Sequence, residues 1–259
     1  MSFLSKPTAI LEKQGNKAVF TVEELYPGYG ITVGNSLRRV LLSSLGGAAA
    51  TRVHIKGISH EFTAIPGVME DAVMLLLNLK QLRFAMIGDE PQKAILSVKG
   101  EKEVKASDFK LPSQLKIMNK DLHIATLTSK TAELEMEIEV ERGIGYVPSQ
   151  KLTREREEIG TVVLDAIFTP IRNVNFRVDH MRVGERTDFD KLTLTIETDG
   201  TMSPEQALFQ SAEILRKEFE VIAQGVQASG MQEKEADEEE AEPKKEKPAK
   251  EKKAAKKKK

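Results

Sequence analysis

The sequence predicts an α+β protein, on three observations. Some runs alternate strictly between apolar and polar residues, as half-buried strands do, and other stretches carry the 3.6-residue period of amphipathic helices. The two kinds of element do not follow the regular repeat of a doubly wound sheet.

Taken along the chain, Ala18 to Leu25 reads as a strand and Thr32 to Leu45 as a helix. Arg52 to Ile58 reads as a strand, Val68 to Leu79 as a helix and Ala94 to Val98 as a strand. The clearest strand places Leu134, Met136, Ile138 and Val140 on one face, and Glu133, Glu135, Glu137, Glu139 and Glu141 on the other. Ile159 to Phe168 shows a helical pattern stopped by Pro170. Asn175 to Val183 reads as a strand, and Leu192, Leu194 and Ile196 alternate with Thr193, Thr195 and Glu197 in another. In the last helix Ser203 is the N-cap, Pro204 takes the first helical position and Gln206 completes a capping box. Behind that start Leu208, Ala212, Leu215, Phe219, Ile222 and Val226 recur at alternating spacings of four and three. Such a seam serves either packing onto the protein's own sheet or self-association.

The net charge of −1 over 259 residues conceals a split. Glu233 to Glu242 carries −6 and Pro243 to Lys259 carries +8, which leaves the remainder at −3. A folded body without basic excess argues against direct phosphate binding by that body. Residues 229–259 contain no aromatic or β-branched side chain, so 230–259 is expected to be a disordered acidic-then-basic tail. The absence of cysteine excludes disulfides, thiolate metal sites and cysteine nucleophiles. With no signal-peptide pattern and no long apolar run, the expected location is the cytoplasm.

Enzyme signals are weak. The glycines of Pro27-Gly28-Tyr29-Gly30 fit no phosphate-loop spacing, and Asp188-Phe189-Asp190 lacks the further acids of a magnesium site. His54, His60, His123 and His180 show no paired spacing, and Ser43-Ser44 has no nucleophile elbow. No catalytic residue, metal or cofactor is expected in the chain.

Projected at 100° per residue, the first helix gathers Val33, Leu37, Val40, Leu41 and Leu45 on one face. Arg39 lies nearly opposite with Asn35 and Ser43, and Arg38 lies at the edge. An arginine opposite the core is either an ordinary solvated charge or a forked donor for a partner's carboxylates and carbonyls.

The run Gly28-Tyr29-Gly30 through Gly34-Asn35-Ser36-Leu37-Arg38-Arg39-Val40-Leu41-Leu42-Ser43-Ser44 closely resembles the start of the bacterial RNA polymerase alpha-subunit family. The resemblance continues through His60-Glu61-Phe62, Gly67-Val68-Met69-Glu70-Asp71, Leu76-Leu77-Asn78-Leu79-Lys80 and Arg142-Gly143-Ile144-Gly145-Tyr146-Val147-Pro148. It extends to Arg186-Thr187-Asp188-Phe189-Asp190-Lys191-Leu192 and Glu197-Thr198-Asp199-Gly200-Thr201.

The resemblance implies a dimerisation domain of helices packed on an antiparallel sheet, residues 1–46 plus 171–229, interrupted by a mostly-β insert domain, 47–170. It implies a homodimer that scaffolds the beta and beta-prime subunits, with omega and sigma in the full complex and catalytic magnesium on another subunit. Position by position, beta docking falls on Arg39, Asn35, Arg38, Gly67, Val68, Glu70, Asp71, Asn78 and Lys80. Beta-prime docking falls on Arg182, Glu185, Asp190 and Lys191. The dimer interface falls on Leu37, Leu41, Leu208, Ala212, Leu215, Phe219 and Ile222. Relatives continue into a DNA-binding domain, but here a highly charged stretch of about 30 residues follows, and the Lys256 to Lys259 run reads as a natural end. Promoter recognition by that domain is therefore not carried over, and contact with DNA is indirect or made by Lys256, Lys257, Lys258 and Lys259. The alternative function is a free-standing dimeric nucleic-acid-binding or interaction protein using that tail.

Overall fold

The computed structural model describes residues 8–58, 60–152 and 160–240. The chain opens on a hairpin of β1 (Ala9–Gln14) and β2 (Lys17–Leu25), then enters α1 (Tyr29–Ser43). β3 (Gly46–Ile55), α2 (Ala72–Lys80) and β4 (Phe84–Met86) follow. β5 (Gln92–Lys99), β6 (Lys102–Lys105), β7 (Leu115–Ile117), β8 (His123–Leu127) and β9 (Glu133–Ile144) form the middle of the chain. Short elements come next, namely β10 (Tyr146–Val147), α3 (Ser149–Leu152), β11 (Thr161–Val163) and β12 (Ala166–Ile167). The long hairpin β13 (Ile171–Val183) and β14 (Arg186–Thr198) leads to α4 (Pro204–Glu240).

This is an α+β fold of antiparallel sheets. One sheet, in the order β1-β2-β14-β13, joins the opening hairpin to the late hairpin β13–β14. Leu192, Leu194 and Ile196 of β14 bury their side of it with Ala18 and Phe20 against Leu37 and Leu41 of α1. A second sheet, β5-β9-β3-β4-β7 with β11 added on β3, carries the larger core. There Leu134, Met136, Ile138 and Val140 are buried with Leu75 and Leu79 of α2. The opposite, acidic face of β9 meets bases from its neighbours. Lys99 pairs with Glu133, Lys56 with Glu135 and Lys93 with Glu137, at 2.5–2.7 Å. Arg52 reaches Glu141 at 2.8 Å. These partners remove the like-charge repulsion that five aligned glutamates would otherwise cause.

Two expectations change. Ile159–Phe168 is not a helix: β11 and β12 occupy its described part, Ile159 lying outside. Thr161, Val162 and Val163 are β-branched or β-favouring and pair with His54, Val53 and Arg52, so sheet pairing overrides a spacing that merely resembles a helical one. The last helix also continues through Glu240, so 230–240 is helical where a disordered tail was expected. Its Glu, Lys, Ala and Gln are intrinsically good helix formers. Residues 241–259 lie outside the described ones.

By compactness the chain divides into one unit through Leu215 and a second from Arg216, which begins with the rest of α4.

Candidate functional site

The start of α1 has no local cap. Gly28, at φ 86°, is its N-cap residue, and the first turn holds no acid. The cap comes from β14 instead: Asp190 Oδ2 accepts from the Gly28 and Gly30 amides at 2.9 and 3.0 Å. A carboxylate there favours the positive end of the helix and satisfies two otherwise free donors. It also occupies the place a phosphate would take, so the glycine-rich turn is already filled. The remaining glycines serve close packing. A Cβ on Gly30 would lie 2.6 Å from Val178, and one on Gly34 2.7 Å from the Phe176 ring. α1 therefore rests directly on β13 and β14.

That contact turns Asn35, Arg38 and Arg39 outward, with Ile31 and Leu42 beside them in the exposed face. Leu37 and Leu41 turn inward and are core residues of the protomer. Leu41 is fully buried there and Leu37 is 8% exposed, so of the two only Leu37 keeps any surface for the dimer interface in which both were expected.

Around α2 the polar positions implied by the resemblance have internal partners. Asp71 caps the helix by accepting from the Met74 amide at 2.7 Å. Asn78 donates to the Ile124 carbonyl, and Lys80 pairs with Asp165 at 3.0 Å. Gly67 adopts φ 76°, and its carbonyl accepts from Thr128. The half-buried Val68 follows it. Glu70 accepts from the Thr126 amide at 2.7 Å and meets His123 Nε2 at 2.9 Å. Burial pushes the Glu70 carboxyl up, but its bonds from Thr126 and His123 outweigh that and hold it below its ordinary range. His123 is raised, chiefly by the bond to Glu70, against the opposing effect of burial.

What this region leaves open is apolar. Phe62 and Met69 are 77% and 75% exposed, and Met74 and Leu77 about half. A groove of about 240 Å³ runs between Phe62, Leu77, Lys80 and Asp165. Phe62, Met74 and Leu77 were not singled out in the sequence. The available signal was α2 itself, Ala72-Val73-Met74-Leu75-Leu76-Leu77-Asn78-Leu79-Lys80, apolar on every side yet too short to be wholly enclosed.

At the tip of the β13–β14 hairpin Arg182 is exposed and donates to the Gly184 carbonyl, and Glu185 is exposed beside it. Lys191 pairs with Glu23 at 2.8 Å. Asp190, expected to face a partner, is 2% exposed and committed to α1, so its docking assignment is corrected. Nearby, Tyr26 meets Tyr29 and Phe189 edge to face, and the Arg186 guanidinium lies 5.5 and 5.1 Å from the Tyr26 and Phe189 ring centres. Arg186 also grips Asp188 through two bonds of 3.0 and 2.7 Å. Sequence reasoning did not single out this aromatic and arginine cluster, a composition enriched at interfaces.

In α4, Ser203 and Gln206 exchange the two bonds of a capping box. Leu208 and Leu215 pack partly on the core and Ala212 is exposed. From Arg216 onward Phe219, Val221, Ile222 and Val226 are all more than 60% exposed. Among the described residues no group of three or more metal-ligating side chains comes together, and no helix is long and apolar enough to cross a membrane. Lys256–Lys259 lie outside the described residues.

Residues 53–169 match the family described as RNA polymerase Rpb3/RpoA insert domain. The chain is 49% identical over 212 residues to the DNA-directed RNA polymerase subunit alpha of Aquifex aeolicus, a match covering 82% of this chain and 67% of that protein. It is 47% identical to the subunits of the same name from Symbiobacterium thermophilum and Thermus thermophilus. Those matches cover 83% of this chain and 68% and 69% of theirs.

Proposed function

The chain belongs to the family of bacterial DNA-directed RNA polymerase alpha subunits, and from that premise we propose that it works as a homodimer that brings the beta and beta-prime subunits together. The observation that carries this reading is the outward face of α1, where Arg38 and Arg39 stand with Asn35 on a helix anchored from beneath. Two forked cations on a rigid element can bind a partner's carboxylates or carbonyls with little loss of side-chain order. The exposed Phe62, Met69, Met74 and Leu77 supply apolar area for the same beta-facing surface. Arg182 and Glu185, with the Tyr26–Arg186–Phe189 cluster, form the surface offered to beta-prime.

Self-association falls to α4. Phe219, Ile222 and Val226 continue the seam of Leu208, Ala212 and Leu215 as exposed apolar side chains, a pattern that favours burial against another helix. The chain supplies surfaces, and the chemistry of nucleotide addition belongs to its partners. A free-standing nucleic-acid binder acting through the lysine-rich tail is not favoured by the relatives.

The test of the docking face is Arg39→Ala. The variant is expected to dimerise as the native chain does while capturing purified beta subunit roughly tenfold more weakly, the order of loss for a charge-assisted contact. Capture at undiminished strength would refute the assignment.

A further inference from the structure

Asp190 has no place in the docking reading once its burial is known, yet few side chains in the molecule are so committed. It sits on β14 in line with Leu192, Leu194 and Ile196, a buried carboxylate at the end of a buried apolar run. Its Oδ2 holds two amides of α1 that are 160 or more residues away in sequence. The other oxygen lies 3.4 Å from His180 Nδ1 of β13.

We propose that Asp190 is the positioning residue of the α1 docking face: its carboxylate fixes the axial register and rotation of α1, and so the direction in which Arg38 and Arg39 point. This rests on the reading of that face as a docking surface.

The need for such a residue follows from the glycines. Helices usually register on a sheet through side-chain ridges that interlock with it. Here the positions that face the strands include Gly30 and Gly34, which bring the backbone close but offer no ridge to resist sliding or turning. The helix start has no side-chain cap of its own to define its first turn. Two hydrogen bonds converging on one oxygen supply both constraints, because a slide or a turn of α1 would lengthen them. The same oxygen would lie 3.0 Å from a Cβ on Gly30, so glycine and carboxylate fit as a pair. Asn35, Arg38 and Arg39 lie one to three turns beyond this anchor, Asn35 and Arg39 on the opposite side of the helix and Arg38 at the edge of its buried face. A rotation at the anchor is carried straight to them.

Two measurements on the full-length dimer separate this from a general loss of stability. Hydrogen–deuterium exchange reads the anchor with no partner present. The amides of Gly28 and Gly30 should be protected in the native protein, although first-turn amides of a helix are normally free. Asp190→Asn should release that protection in the 26–36 segment and leave the second sheet unchanged. Capture of purified beta reads the consequence. Asp190→Asn should weaken it roughly tenfold, the order expected for losing a charge-assisted pair, and should add less than that in an Arg39→Ala background, where only Arg38 is left for it to position. Unprotected Gly28 and Gly30 amides in the native protein would overturn the proposal even if the variant failed to fold. So would unchanged exchange in the variant, or losses that simply add. Should Arg39→Ala alone capture beta normally, the docking reading falls, and the exchange result alone decides whether Asp190 positions α1.

Discussion

In α1 the apolar stripe of Leu37 and Leu41 is buried within the protomer, whereas in α4 the equally regular stripe of Phe219, Ile222 and Val226 faces outward. The period alone does not distinguish them. What does is the rest of each helix. α1 carries Gly30 and Gly34 on its inward side and receives a carboxylate at its start, so its backbone lies against β13 and β14. α4 is capped by its own Ser203 and Gln206, and beyond Leu215 its large side chains are exposed. A helix anchored by other parts of the chain is built to present its polar face. One that carries its own cap and an uncovered stripe is, on the proposed reading, the one that receives another helix.

The largest expected effect breaks the α4 side of this contrast. Phe219→Glu places a charge in the seam on both copies of a symmetric contact. The dimer dissociation constant should rise roughly a thousandfold, and sedimentation at micromolar concentration should show monomers. An unchanged dimer would mean that the exposed stripe has another purpose.

Gly34→Val attacks the α1 side. Its Cβ alone would lie 2.7 Å from the Phe176 ring, and valine brings little helix propensity to offset the clash. We expect a loss of about 3 kcal/mol, the upper end for overpacking, seen as a lower Tm. A neutral result would show that α1 does not rest on the sheet as tightly as the distances imply.

A smaller effect sharpens the contrast at α2, whose own Asp71 caps it while the preceding Glu70 is tied to His123 and Thr126. The lowered Glu70 gives stability that is present above its unfolded pKa and lost as the pH falls through its folded one. The raised His123 gives stability that is present below its ordinary 6.5 and lost as the pH rises through its folded value. The advantage of the native chain over His123→Gln in urea unfolding should therefore be full below the ordinary histidine value of 6.5 and shrink as the pH is raised above it. A pH-independent difference would show that the ion pair plays no part.

The longer strands of this fold were legible in the sequence, whereas the short β7 and β8 were not, although Leu115, Ile117, Ile124 and Leu127 in them are buried. β9 and β14 follow from alternation alone, and the α4 start follows from its capping box. β11 and β12 were not, because Val162, Val163 and Ala166 have spacings that suit either state, and pairing of β11 with β3 and of β12 with β10 decided between them. Outward Arg39 followed from helical projection. The burial of Asp190 was available, since it shares the parity of Leu192, Leu194 and Ile196, but nothing local says that a buried carboxylate on a strand accepts from a helix start far away in sequence. The internal commitments of Glu70, Asn78 and Lys80 were hidden for the same reason: their partners Thr126, Ile124 and Asp165 are distant in sequence and meet them only in the fold.

The central claim is that this chain carries two outward kinds of surface, one for its own copy and one for larger partners. Native mass spectrometry of the complex purified through a tag on this chain tests it most directly. Two copies together with one copy each of two very large subunits is the predicted composition. A single copy, or a dimer that never carries the large subunits, would contradict the account.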